Sequence, residues 1–357
     1  MNHQDDKIYL RPSGLVNLAD PGPLIETGQV LPLAGGPFGF SWIEIIHRRH
    51  NGRNTKRFLR AADLKFVRDL VGEQRTARLI EPREPLLDLS WDKPRIMAVL
   101  NVTPDSFSDG GRFVSVEDAA ATARKMFEAG ADIVDIGGES TRPRAEPVDP
   151  QEELRRVVPV FEALNGAAKY NLSIDTRKAE IMTAAVDAGA RLINDVSALS
   201  YDPDSLSVAA QRQIPVVLMH GQGDPMSMQD NPQYDDVLLD VYDYLEERIT
   251  VCEAAGIPRQ RLIVDPGIGF GKSVAHNLRL IGGLSLFHGL GCAVLLGASR
   301  KSFIGSMDGG AATDQRLGGS LAAVLVGAAQ GVQLFRVHDV RETRQAVTVL
   351  QGILGRN

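Results

Sequence analysis

From Arg95 onward, apolar residues fall in short unbroken runs rich in β-branched side chains: RIMAVLNV (95–102), ADIVDIGG (131–138), NLSIDT (171–176), LINDV (192–196), PVVLMH (215–220), LIVDPG (262–267), AVLLGAS (293–299) and VQLFRVH (332–338). Unbroken rather than alternating runs predict strands buried on both faces, as in a parallel sheet. Between them the apolar positions recur with helical spacing, as in VEDAAATARKMFEAG (116–130) and YDDVLLDVYDYLEERITVCEAAG (234–256). Ala129-Gly130, Ala188-Gly189 and Ala255-Gly256 mark helix C-termini. Strand and helix alternating over roughly 260 residues predict an α/β fold, a closed (β/α)₈ TIM barrel. An open doubly wound sheet usually carries a glycine-rich turn after its first strand, whereas here that strand runs into Thr103-Pro104-Asp105.

The preceding part has another texture. Residues 1–85 show weak periodicity and turn clusters such as Pro21-Gly22-Pro23 and Gly35-Gly36-Pro37. A strand-like stretch, Phe40 to Ile46, and a helix-like stretch, Ala61 to Val71, predict a small α/β appendage ahead of a barrel domain at 86–357. Its core looks too small to stand alone. Phe38, Phe40, Trp42, Ile43, Ile45 and Ile46 are too apolar for a disordered tail, so they are expected to pack on the barrel or on a second subunit.

Composition narrows the class. A formal net charge of −6 without basic runs argues against nucleic acid as a partner. The longest apolar run, around 320–329, is far shorter than the ~20 residues of a membrane span. The opening residues, MNHQDDKIYLRP, show no basic stretch leading into an apolar core, and Cys252 and Cys292 are the only cysteines. Both points lead to the expectation of a reducing cytoplasm.

The chemistry lies at the strand ends, where a barrel carries its active site. They read Asn101, Glu139, Asp175, Asn194, His220, Asp265, Ser299-Arg300-Lys301 and Arg336-Val337-His338. A single Asp there is more often a helix cap, but capping has no use for Arg336, His338, Lys301 or an Asn inside LINDV. Asp175, Asn194 and Asp265 suit a flat heterocycle with several N–H groups. Arg336 and His338, alternating with apolar neighbours, suit a phosphate. Asn101 offers an amide oxygen to a hard cation such as Mg²⁺. Two polar loops, TPDSFSDGGRF (103–113) and ESTRPRAEP (139–147), follow the first two strands and add Asp105, Asp109, Thr141 and Arg142. DPGIGFGK (265–272) lacks the spacing of a P-loop; its glycines are expected to let backbone approach a ligand, with Phe270 as a wall. These features point to a Mg²⁺-assisted enzyme acting on a phosphorylated heterocycle.

LNVTPDSFSDGG (100–111), GADIVDIGGESTRP (130–143), SIDTRK (173–178), INDV (193–196), LMH (218–220), DPGIGFGK (265–272), SRKSFIG (299–305) and RVHDV (336–340) together resemble the dihydropteroate synthases. LDLSWDKP (87–94) resembles that family's lead-in to the first strand. The likeness runs from about Leu87 to the C-terminus. It implies condensation of 6-hydroxymethyl-7,8-dihydropterin diphosphate with p-aminobenzoate, through cleavage of the methylene–diphosphate bond and attack by the aniline nitrogen. It implies that Asp175, Asn194, Val196, Met219, Asp265 and Lys301 hold the pterin. Asn101, Thr141, Arg142, Arg336 and His338 would hold the diphosphate, with Mg²⁺ at Asn101. Phe107, Pro143, Phe270, Lys301 and Ser302 would shape the p-aminobenzoate pocket, with catalytic roles for Asp109, Arg142 and Lys301. A homodimer through the last helices is implied as well. Arg144, Gly221 and Ile268 depart from the usual pattern without removing any of these residues.

Two rivals share parts of this reading. A pterin-binding methyltransferase acting on a methylated folate would use Asp175, Asn194 and Asp265 but has no need of Arg336, His338 or the TPDSFSDGG loop. A non-catalytic pterin-binding homologue has no need of the intact loops.

Overall fold

The computed structural model describes residues 6–17, 22–49, 54–103, 115–140, 147–165, 170–223 and 228–355. The candidate residues Asp105, Phe107, Asp109, Thr141, Arg142 and Pro143, and the variant Arg144, lie outside them.

An appendage precedes the barrel. Its sheet is built on β3 (Phe38–Arg48), which pairs antiparallel with β1 (Lys7–Asn17) on one edge. On the other edge lie β2 (Leu31–Pro32) and β4 (Asn54–Arg60). α1 (Gly22–Glu26) connects β1 to β2, and α2 (Leu64–Val71) and α3 (Glu73–Ile80) follow the sheet. Leu10, Leu33, Phe38, Phe40, Ile43, Ile45, Ala61, Val67 and Leu79 form a core of their own. Tyr9 and Ile46 belong instead to the main core of the barrel. Of the six apolar residues singled out in 38–46, only Trp42 is exposed.

Eight parallel strands close the barrel: β5 (Arg95–Asn101), β6 (Ile133–Gly137), β7 (Leu172–Asp175), β8 (Leu192–Asp195), β9 (Val216–Met219), β10 (Leu262–Asp265), β11 (Ala293–Leu296) and β12 (Leu334–Val337). Helices follow them: α4 (Val116–Glu128), α5 (Pro150–Asn165), α6 (Ala179–Asp187), α7 (Ser205–Arg212), α8 (Val237–Ala254), α9 (Val274–Ile281), α10 (Ser302–Met307), α11 (Leu317–Ala329) and α12 (Val340–Ile353). Ser115, Asp236 and Ser273 cap α4, α8 and α9 through their side chains. The expected glycines Gly130, Gly189 and Gly256 follow α4, α6 and α8 with positive φ.

Alternation within each short strand sorts its side chains. Ile96, Ala98, Val134, Ile136, Ile174, Ile193, Val216, Leu218, Val264 and Phe335 face the helices in the main core. Met97, Ile133, Leu192, Val217, Ile263, Leu295 and Leu334 fill the barrel's interior near its N-terminal end, together with Leu86 and Trp91 of the lead-in. Trp91 Nε1 donates to the Glu84 carbonyl at 2.9 Å, which seats the indole as a plug. The interior is thus apolar at one end, and each inward position two residues further on falls at the opposite mouth.

The appendage docks on α8 and on the 3₁₀ segment Leu284–Leu290. Tyr9 packs edge-to-face on Tyr242, with ring centroids 5.4 Å apart, and its hydroxyl lies 2.9 and 3.0 Å from the two carboxylate oxygens of Asp243. Lys7 reaches the same carboxylate at 3.0 Å and Arg48 at 3.3 Å, while Arg48 also pairs with Asp240 at 2.6 Å. Ser285 Oγ donates to the Pro12 carbonyl at 2.8 Å.

Asp243 is therefore the polar hub of the seam. Asp243→Ala leaves the buried Tyr9 hydroxyl without its acceptor, at a cost of about 1–3 kcal/mol. Calorimetry should show the melting temperature falling by about 2–4 °C per kcal/mol, with turnover per folded molecule unchanged. An unaltered melting temperature would mean that apolar packing alone docks the appendage.

Candidate active site

The same alternation that buries Ile133 and Leu192 sends Asp135 and Gly137 of β6, Ser173 and Asp175 of β7, Asn194 of β8 and Asp265 of β10 toward the C-terminal mouth. Arg336 of β12 spans the barrel there. Its Nε donates to Asp135 Oδ2 at 2.7 Å and an Nη donates to Asp175 Oδ2 at 2.6 Å. Asn194 Nδ2 donates to the same Asp135 oxygen at 2.9 Å. Three strands' side chains are thereby locked around one guanidinium. Asp175 Oδ1, Asp135 Oδ1 and Ser173 Oγ are buried and take no hydrogen bond among the described residues. Orphaned buried acceptors are costly unless a ligand supplies donors.

The electrostatics follow from burial. Burial pushes the Asp175 carboxyl up, to about 7, with Arg336 pulling it back and Asp135 adding repulsion. Burial likewise raises Asp265, against Lys301 and the Gly267 N–H, which donates to Asp265 Oδ1 at 2.7 Å. Arg336 is held firmly charged by Asp135 and Asp175 despite its burial. Lys301 is lowered to about 8, by burial first, with Asp265 opposing and Arg336 assisting.

Lys301 reaches over from the turn after β11. Its Nζ donates to the Ile268 carbonyl and lies 4.4 Å from the centroid of the Phe270 ring. Gly269 makes this approach possible, and Gly267 lets the same loop pack against His220. A Cβ on Gly267 would meet the His220 carbonyl oxygen at 1.8 Å, and one on Gly269 would meet Lys301 Cδ at 3.1 Å. Both have positive φ. These glycines thus admit neighbouring protein atoms. Met219 is buried, Val196 and Phe270 half-buried, and Ser302 exposed at the head of α10. A Cβ on Gly221 would sit 3.9 Å from both Met219 Cε and Phe270 Cβ, so this departure leaves open space beside two proposed walls. Asn101 ends β5, half-buried. The His338 N–H donates to Ser299 Oγ at 3.2 Å, and its Nδ1 lies 3.2 Å from the same oxygen.

Two strand-end residues are diverted from the mouth. Glu139 takes bonds from Arg177 at 2.9 Å, Lys178 at 2.5 Å and the Val148 N–H at 3.2 Å. Lys178 is shared with buried Glu153 at 2.6 Å. This network ties the residues that bracket the second loop. His220 Nδ1 lies 2.8 Å from Lys272 Nζ, and burial plus that neighbour hold the imidazole well below its usual range.

Asp135 is the neighbour that sequence reasoning missed; Ser299, named among the strand ends, had been given no role. The available signal was a lone Asp within the apolar run IVDIG. A cavity of about 380 Å³, lined in part by Arg78, Arg83, Trp91 and Arg259, lies at the seam with the appendage near the strands' opposite ends, away from this polar ring.

A family model described as pterin binding enzyme matches residues 97–338. The dihydropteroate synthase of Escherichia coli (strain K12) is 47% identical over 268 residues, spanning 75% of this chain and 94% of that protein. The dihydropteroate synthase of Xanthomonas albilineans solved with 4-aminobenzoic acid is 50% identical with a TM-score of 0.71, covering 75% of this chain and 96% of that one. The same enzyme in complex with 7,8-dihydropteroate aligns at 47% identity, TM-score 0.68, over 75% and 97%.

With Lys301 lowered to about 8, its positive charge is present below that pH and lost above it. Binding of an anionic heterocyclic ligand that uses this charge should weaken by about tenfold between pH 7 and pH 9, following the charged fraction. Lys301→Arg, charged throughout, should flatten the titration. Calorimetric affinities that stay constant across this range in the native protein would show that the charge is not used.

Proposed function

The chain belongs to the pterin-binding enzyme family, as a dihydropteroate synthase, and we propose that the polar ring at its barrel mouth holds the pterin of 6-hydroxymethyl-7,8-dihydropterin diphosphate for transfer to p-aminobenzoate. The observation that carries the residue assignment is Asp175 Oδ1, a buried acceptor with no partner among the described residues. A pterin's amino and ring N–H groups are the complementary donors. Asp265 and the side-chain oxygen Oδ1 of Asn194 add acceptors, Val196 and Met219 supply apolar walls, and Lys301 donates to the ring.

Arg336 has two of its nitrogens bonded to Asp135 and Asp175. Its remaining donors and His338 are suited to the diphosphate, alongside Thr141 and Arg142. Phe107, Pro143, Phe270, Lys301 and Ser302 are assigned to p-aminobenzoate. In the reaction the methylene–oxygen bond breaks with its electrons going to the diphosphate. The aniline nitrogen forms the new bond to carbon and releases a proton. Arg336, Arg142 and Lys301 stabilise the departing anion, and the carboxylates of Asp109, Asp175 and Asp265 favour positive charge developing on the pterin. No side-chain nucleophile is needed.

Among the described residues no group of three His, Cys, Asp or Glu is placed to hold a metal. One amide oxygen, from Asn101, fits an ion held mostly by diphosphate oxygens and water. Mg²⁺ bound in that way supplies charge neutralisation on the leaving group. Both cysteines are free and buried, consistent with a cytoplasmic setting. No helix among the described residues is long and apolar enough to cross a membrane. Val326 of α11 and Val349 and Ile353 of α12 are exposed, the surface we assign to a homodimer. Val349→Asp with Ile353→Asp should halve the mass seen by light scattering, and an unchanged mass would place the contact elsewhere.

The deciding assay is diphosphate release from the pterin diphosphate. Release should require p-aminobenzoate and stop in excess EDTA. Asp175→Asn and Asp265→Asn should each abolish it with the melting transition retained, since each presents an amide where the ligand needs an acceptor, a loss of about 1–3 kcal/mol per unpaired donor. Near-normal pterin binding in both variants would refute the ring assignment.

A further inference from the structure

Arg300 stands between two residues of the proposed site, Lys301 and Ser299, and has no role in the reading above. It is one of few non-glycine residues with left-handed backbone, at φ 58°, a conformation that costs about 1 kcal/mol or more for such a side chain. Strain of this kind persists only where its surroundings over-determine it. Here four contacts do so. The Arg300 N–H donates to Ser320 Oγ at 2.9 Å, and its carbonyl accepts from Arg316 at 3.0 Å. Its guanidinium meets both carboxylate oxygens of Asp339, Nε at 2.9 Å and a terminal nitrogen on the other oxygen. Asp339 directly follows His338, whose N–H donates to Ser299. Consecutive residues on the ends of β11 and β12 are therefore paired, Ser299 with His338 and Arg300 with Asp339. The next residue, Lys301, turns back over Phe270, and Ser302 begins α10.

We propose that the Arg300–Asp339 pair is a positioning device: it holds the 299–302 turn in its left-handed form, so that Lys301 and Ser302 stay in register with Arg336 and His338, without touching substrate itself. The inference rests on the reading that Lys301 and Ser302 contact the substrates. A bidentate guanidinium–carboxylate fork fixes orientation as well as distance, which a lysine in the same place does not. The pterin's other ring contacts, Asp175, Asn194 and Asp265, lie on β7, β8 and β10 and are independent of this turn.

The test compares Arg300→Gly, which accepts the backbone conformation but loses the pair, with Asp339→Asn, which keeps shape but loses charge. Each should raise the KM for p-aminobenzoate by about tenfold or more and lower kcat, while the dissociation constant of the pterin diphosphate rises by no more than the roughly tenfold that the Lys301 charge supplies. Hydrogen exchange in the peptide spanning 298–304 should accelerate. The exchange Arg300→Asp with Asp339→Arg restores the pair, with Asp at a position it tolerates, and should recover most of the lost kcat/KM. If both single variants lower the melting temperature yet leave the p-aminobenzoate KM and the 298–304 exchange unchanged, the pair is merely structural and the proposal fails. A Ser302→Ala variant with normal KM, alongside loosened exchange in the Arg300 and Asp339 variants, would locate the fault in the pocket assignment instead.

Discussion

A single guanidinium organises the barrel mouth. Arg336 is half-buried, and buried Asp135 and Asp175, two and three strands along the barrel, compensate it. Neither acid is tolerable there alone, since an unpaired buried charge costs several kcal/mol. Removing Arg336 would leave two carboxylates facing each other in a low-dielectric interior, and removing Asp135 would release both Arg336 and Asn194. The bridge consumes one oxygen of each acid and leaves the second oxygen of each without a partner among the described residues. It thus both stabilises the empty mouth and keeps acceptors available within it. Burial raises Asp175 and Asp265 alike; Asp135 adds to the rise at Asp175, whereas Lys301, Lys272 and Arg336 pull Asp265 back.

Most of the fold was legible because barrel strands announce themselves as unbroken apolar runs. All eight expected runs contain the observed strands, with ends trimmed by one to three residues where the chain turns into loops. The mouth was legible because polar residues at strand ends have few structural uses. What periodicity could not supply was facing. Asn194 points inward while its neighbour Asp195 points out and anchors the Ser197 and Leu199 N–H groups at 2.7 and 3.0 Å; the two look equivalent in sequence. Glu139 and His220 resemble site residues, but their partners, Lys178 and Lys272, lie in other elements far along the chain. Asp135 was hidden for the opposite reason: it sits mid-strand, where an apolar residue is expected, and only the closure of β12 against β5 brings Arg336 to it.

The appendage shows the same division. Its strand, helix and small core were anticipated, but the members of that core were not, because Leu10, Leu33, Val67 and Leu79 come together only when β1 folds back on β3. That sheet leaves Tyr9 and Ile46 for the barrel to cover.

This seam has an implication for synthesis. β1 to β4 are complete once residue 60 has left the ribosome, but α8, which covers Tyr9, begins at Val237. At about 5–20 residues per second, the ring of Tyr9 waits on the order of ten to forty seconds for Tyr242. Throughout that interval the nascent sheet presents an uncovered aromatic face beside the unpaired charges of Lys7 and Arg48. Those two cations flank the sticky surface until Asp243 arrives, and in the meantime they act as gatekeepers against premature association with other nascent chains.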